Sequence, residues 1–90
     1  MSVLERSLEV LDLAEEAARR GNPNSISDAG LAALCARTCA EGAYLNVIIN
    51  LKDLTDAAWV AETRGRAEEQ RRRACERAAS ILQLVEARIG

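Results

Sequence analysis

The sequence contains no histidine. That absence removes every nucleophile pair or triad built on imidazole. It leaves carboxylates, thiols, Tyr44 and the lone lysine, Lys52, as the groups able to move a proton. Metal ligands are equally scarce. Cys35 and Cys39 stand one helical turn apart and only Cys75 joins them, short of the four ligands a structural zinc needs. No metal is expected, and the cysteines read as small buried hydrophobes. Aromatic residues are limited to Tyr44 and Trp59, too few for a β-sheet core or for stacking nucleic-acid bases. The net charge of −2 gives no field that would draw nucleic acid, so none is expected as a partner. No apolar run reaches the roughly 18 residues of a membrane span, and no membrane partner is expected. Three cysteines, an odd number without C-x-x-C spacing or a secretory leader, place the expectation in a reducing cytoplasm.

What is present points to helix. Ala, Leu, Glu and Arg dominate and there is one proline. Val3, Leu4, Leu8, Leu11, Ala14, Ala17 and Ala18 recur at helical spacing and predict a first helix over residues 3–20, stopped by Gly21. Asn22-Pro23-Asn24 cannot continue it, because proline lacks the amide hydrogen and drives Asn22 from helical ψ. Ser25-Ile26-Ser27-Asp28 has the form of a capping box, which predicts a second helix over 25–50. Between Gly21 and Leu51 only Asp28, Arg37 and Glu41 are charged, so this segment is expected to be central and buried on most sides. After a connection in which Asp53 or Thr55 serves as cap, Val60, Ala67, Ala74 and Ile81 recur every seven residues and predict a long helix over 55–89. The fold expected is all-α: an antiparallel bundle of three helices, one domain over residues 1–90. The third helix is longer than the first can cover, and the core of so short a chain is thin, so association into a dimer is expected.

Two polar groups interrupt the central segment. At its entry stand Asn22, Asn24, Ser25, Ser27 and Asp28; at its exit stand Tyr44, Asn46 and Asn50. A turn uses Asn, Pro and Ser for conformational reasons. A helix start with open amides beside such side chains is also a place for a carboxylate or carbonyl oxygen. The Asn46 and Asn50 amides serve equally for interhelical hydrogen bonds or for a ligand. The mixed charges from Arg64 to Arg77 read as a solvated face laced with i, i+4 pairs.

The run Gly21-Asn22-Pro23-Asn24-Ser25-Ile26-Ser27-Asp28-Ala29-Gly30, followed by Gly42-Ala43-Tyr44-Leu45-Asn46-Val47 and Ile49-Asn50-Leu51, closely resembles the C-terminal half of the cyclodeaminase/cyclohydrolase domain. That family includes the cyclodeaminase part of formiminotransferase-cyclodeaminase and stand-alone methenyltetrahydrofolate cyclohydrolases. The resemblance implies an all-helical, dimer-forming protein that handles one-carbon units on tetrahydrofolate. The implied chemistry is loss of ammonia from 5-formiminotetrahydrofolate with ring closure, or hydrolysis of 5,10-methenyltetrahydrofolate to the 10-formyl compound. It also implies roles for the matched residues: Asp28 as the acid or base, and Asn22, Asn24, Ser25, Ser27, Tyr44, Asn46 and Asn50 as substrate-binding groups. The polar groups lie at opposite ends of one helix, so a homodimer or a complementary chain is expected to unite them. The reading from a different class is a non-catalytic helical module that associates with itself, its polar turn being structural.

Overall fold

The computed structural model describes residues 2–90; Met1, part of the expected single domain, lies outside the described residues. Three helices follow one another: α1, Ser2–Arg20; α2, Pro23–Leu51; and α3, Ala57–Ile89. They form an up-down-up bundle in which every pair of helices packs together, drawn out into a rod of 51 × 16 × 14 Å. The all-α expectation holds.

The helix ends follow local chemistry, with two corrections to the expected caps. Asn22 takes the extended backbone that a residue before proline must take, φ −76° and ψ 173°. Its side-chain oxygen accepts from the Ser25 amide at 3.0 Å, so Asn22 caps α2 and Pro23 opens it. The capping box at Ser25 is therefore not formed. Pro23 fits at the first helical position because that amide has no helical partner anyway, and α2 starts two residues before the expected boundary. At α3, Asp56 is the cap rather than Asp53 or Thr55: its carboxylate accepts from the Trp59 amide at 3.1 Å. Gly21 has no room for a side chain, since a Cβ would lie 2.6 Å from the Ala17 carbonyl oxygen and 2.7 Å from Ser25 Cβ.

The end of α1 is closed from a distance. The Arg88 guanidinium, near the end of α3, donates to the carbonyls of Ala18 at 3.0 Å, Arg19 at 2.6 Å and Gly21 at 3.1 Å. These are the oxygens a terminating helix leaves without partners, and a cation there also meets the negative end of the helix dipole. Arg77 reaches Asp12 at 2.7 Å lower on the same pair of helices. With Arg77 level with Asp12 and equal rise in both helices, Ser2 stands near the level of Ala67. Beyond that level α2 and α3 continue as a two-helix extension made of residues 42–51 and 57–66.

Alanine dominates the interior: nine of the fourteen residues in the core cluster, so the helices sit close and bury little large apolar volume. Among the described residues only Leu4, Leu11 and Ile81 are large and fully buried. Gly30 lets α2 meet α3, where an added Cβ would lie 3.3 Å from Val85 Cγ1. The heptad seam holds along the three-helix portion, with Ala67, Ala74, Ala78, Ile81 and Val85 buried, while Val60 in the extension is only half-buried. The mixed charges of α3 also fall where expected, on its exposed face. Arg72 bridges Glu69 at 2.6 Å and Glu76 at 2.7 Å, and the Arg72 hydrogen bond holds the Glu69 carboxyl below the usual carboxylate range.

The central segment departs most from expectation. Although it carries only three charged residues, α2 is buried on one side only. Leu31, Leu34, Leu45 and Ile49 are exposed, and so are Cys35 and Cys39, which were expected inside a core. Two neighbouring helices cover only part of a cylinder, and α1 and α3 sit on adjacent sides of it. Cys75 alone is partly covered.

Candidate functional site

The polar entry sits where α1 ends and α2 begins. Asn22 spends its side-chain oxygen on the cap, while Asn24, Ser27 and Asp28 are exposed and Ser25 is half-buried. Ser25 and Asp28 face α1, where with Val10, Leu13, Ala14 and Ala17 they line a shallow groove of about 300 Å³. One wall of this groove is apolar and the other carries a hydroxyl and a carboxylate. A flat heteroaromatic ring with polar edges is the kind of group such walls accept. Ser27, a quarter turn from Asp28, lies outside the groove lining.

The polar exit lies far away. Asp28 and Asn50 are about 33 Å apart along one helix at 1.5 Å per residue. Asn46 and Asn50 are exposed, one turn apart, on the two-helix extension. Tyr44 does not join them. It packs against the core, with the Arg71 guanidinium 5.0 Å from its ring centre, while Arg71 also reaches Glu41 at 3.5 Å. At 100° per residue Tyr44 points nearly opposite to Asn46. A single chain therefore brings Ser25 and Asp28 together, and Asn46 with Asn50, but not the two groups with each other.

Two further clefts escaped the sequence reading. The groove between α1 and α2 continues past Ala32 as an almost wholly apolar channel of about 380 Å³, lined by Val3, Arg6, Ser7, Val10, Cys35 and Cys39. A cleft of about 390 Å³ at the α2–α3 connection is lined by Leu51, Lys52, Thr55, Val60 and Arg64. The one signal for the latter was the placement of the only lysine directly after the Asn50 motif. Among the described residues no three His, Cys, Asp or Glu side chains converge as metal ligands would. No helix among them is long and apolar enough to cross a membrane.

Residues 1–69 match the family described as formiminotransferase-cyclodeaminase. The chain belongs to that family. The matched span holds both polar groups of the formiminotransferase-cyclodeaminase motif and ends within α3, near the start of its three-helix portion. Among its relatives, the methenyltetrahydrofolate cyclohydrolase of Methylorubrum extorquens is 52% identical over 54 residues, covering 60% of this chain and 26% of that protein. The formimidoyltransferase-cyclodeaminase of Rattus norvegicus is 42% identical over 74 residues, covering 82% of this chain and 14% of that protein. The same enzyme of Sus scrofa is 43% identical over 74 residues. The chain thus spans about a quarter or less of the length of these relatives. No solved structure matches it.

Proposed function

We propose that this chain serves folate-dependent one-carbon metabolism, acting on 5-formiminotetrahydrofolate or 5,10-methenyltetrahydrofolate within an assembly of at least two chains. The observation that carries the reading is the half-polar groove where Ser25 and Asp28 face the apolar wall of α1, inside the span matched to the family. Its relatives are named for a cyclodeaminase and a cyclohydrolase, which are two directions of approach to the same methenyl bridge.

In the hydrolytic direction, water adds to the bridging carbon and gives up one proton, and the bond from the carbon to N5 breaks as the remaining hydroxyl proton passes to N5, giving the 10-formyl compound. In the deaminating direction, N10 attacks the formimino carbon, and ammonia departs after accepting a proton. Each needs a group that takes and returns a proton beside one carbon atom, and Asp28 is the carboxylate in the groove. The Asn24, Asn46 and Asn50 amides offer paired donors and acceptors to the pterin edge, with Ser25 and Ser27 beside Asp28 and Asn22 fixing the turn that carries them. Tyr44, held under Arg71, acts through the placement of the polar exit. Substrate is the only folate species required, with no metal, and the compartment proposed is the cytoplasm.

The test is thermal. A folate analogue at 100 times its Kd stabilises a binding protein by about 2.7 kcal/mol. The melting temperature is expected to rise with 5-formyltetrahydrofolate, and an unmoved midpoint at millimolar ligand would sink the reading. Ammonia release separates the two reactions. Asp28→Asn is expected to remove turnover while leaving helicity intact, since Asp28 makes no side-chain hydrogen bond within the described chain. The exposed apolar face of α2 favours a second reading, a self-associating helical module without catalysis. In that case dimers form and no ligand shifts the melt.

A further inference from the structure

The connection between α1 and α2 is held from three directions. From α1, the Ala17 carbonyl accepts from the Gly21 amide at 2.8 Å. Toward α2, the Asn22 carbonyl accepts from the Ile26 amide at 2.9 Å and its side-chain oxygen from the Ser25 amide at 3.0 Å. The third hold comes from α3. Arg88 Nη1 donates to the Ala18 carbonyl at 3.0 Å and to that of Arg19 at 2.6 Å, while Nη2 donates to Gly21 at 3.1 Å. One planar fork therefore grips the last turn of α1 with one arm and the connection with the other. The ion pairs between α1 and α3 belong to Arg77, and among the described residues Arg88 enters none, so its guanidinium is committed to these oxygens.

Gly21 is the pivot of this arrangement. Glycine has the widest backbone freedom of any residue, and rotation of the peptide between Gly21 and Asn22 would carry the Asn22 cap away from Ser25. The Gly21 carbonyl is the oxygen of that peptide, and Arg88 fixes it. The arginine is itself well based. One turn earlier Val85 sits against Gly30 of α2, and Ile81 before it is fully buried.

The groove that holds Ser25 and Asp28 opens directly beside the connection. Ala17 ends its α1 wall, Ser25 begins its α2 wall, and no residue of α3 lines it. We infer that Arg88 is a positioning residue for this groove: by tying Ala18 and Arg19 to Gly21 it fixes the separation of the two walls and the direction of Asp28, without touching what the groove binds. Arg88 lies beyond residues 1–69, the span matched to the family, so the last turn of α3 joins the machinery of a site whose motif lies elsewhere in the chain. The inference deepens the folate reading, on which only the ligand arm of its test rests.

The test uses the full chain with Arg88→Ala, Arg88→Lys and, as control, Arg77→Ala, which removes the tie from α3 to Asp12 farther down α1. Circular dichroism verifies helicity. Two quantities are read: hydrogen exchange of the Ser25 and Ile26 amides by NMR, and the Kd for 5-formyltetrahydrofolate. Arg88→Ala is expected to speed exchange of both amides about tenfold while leaving those in the middle of α2 unchanged. It is also expected to weaken binding about tenfold, because the ligand must then order the walls itself. Arg88→Lys keeps the charge at the end of α1 and is expected to recover most of the melting temperature. A point charge on a flexible stem does not bridge two segments as the fork does, so exchange and Kd should stay with those of the alanine variant. Arg77→Ala should lower the melting temperature with both readouts at the parent value. Unchanged exchange in Arg88→Ala overturns the inference, and so does affinity that simply follows melting temperature across the three variants, the mark of a merely structural role. Should the alanine variant lose its helicity, the lysine variant decides, and parent-like exchange and affinity there overturn the inference. A parent chain that binds no 5-formyltetrahydrofolate removes the folate reading, while the exchange arm still decides whether Arg88 sets the turn.

Discussion

The two ends of the rod are built differently. Where α1 is present, three helices enclose Leu4, Leu11, Ile26 and Ile81, and the polar turn is pinned by Asn22 and Arg88. Beyond α1, residues 42–51 and 57–66 form a pair of helices that leaves Leu45, Ile49 and Trp59 exposed. Helix propensity also favours the three-helix end, since the extension holds Gly42, Asn46, Asn50 and Gly65 and the β-branched Val47, Ile48 and Ile49. The larger difference is the number of neighbours, because most helical stability in proteins comes from packing an apolar face rather than from propensity. The three-helix end is therefore the stable unit, and the extension holds its shape through α2 and α3 alone.

The widest separation between the ends is expected in the core. Leu11→Ala removes a large, fully buried side chain and should cost about 2–5 kcal/mol. Leu45→Ala in the extension should fall within about 0.5 kcal/mol of the parent in a monomer. Urea melts of both variants check this, and equal losses would erase the distinction. Glycine makes the next contrast. Gly30→Leu, facing Val85, should destabilise by about 1–3 kcal/mol through overpacking. Gly65→Ala, with nothing within 4 Å of its Cβ, should stabilise by about 0.5–1 kcal/mol.

The caps follow in size. Asn22→Ala should cost about 1 kcal/mol, while Ser25→Ala, whose hydroxyl caps nothing, should cost much less. Hydrogen exchange should show the first loss confined to the turn between α1 and α2. The smallest effect concerns pH. The Glu69 carboxyl is depressed by its hydrogen bond from Arg72, so its contribution is present above the ordinary carboxylate pKa and fades as pH falls through the folded value. Glu69→Gln should flatten the acid side of the stability curve slightly, read by melts in the acidic range.

The helices were legible because periodicity reports burial directly: Leu4, Leu11, Ala67, Ala74 and Ile81 occupy the core their spacing predicts. The caps were less legible, since Asn22, Ser25, Asp53 and Asp56 are all good cap residues and only the placement of the chain selects among them. The exposure of α2 was not legible at all. A helix with so few charges reads as enclosed, but composition does not state how many helices enclose it, and Cys35 and Cys39 face outward for that reason. The separation of Tyr44 from Asn46 was in principle available, because two residues apart on a helix is nearly opposite.

The contact of Arg88 with Ala18, Arg19 and Gly21 carries a consequence for synthesis. The α1–α2 hairpin leaves the ribosome long before residue 88, so its first helix emerges with those carbonyls still turned to water. Closure of α1 waits on a residue translated 70 positions after Ala18, and the hairpin holding the folate-family motif stays adjustable until then.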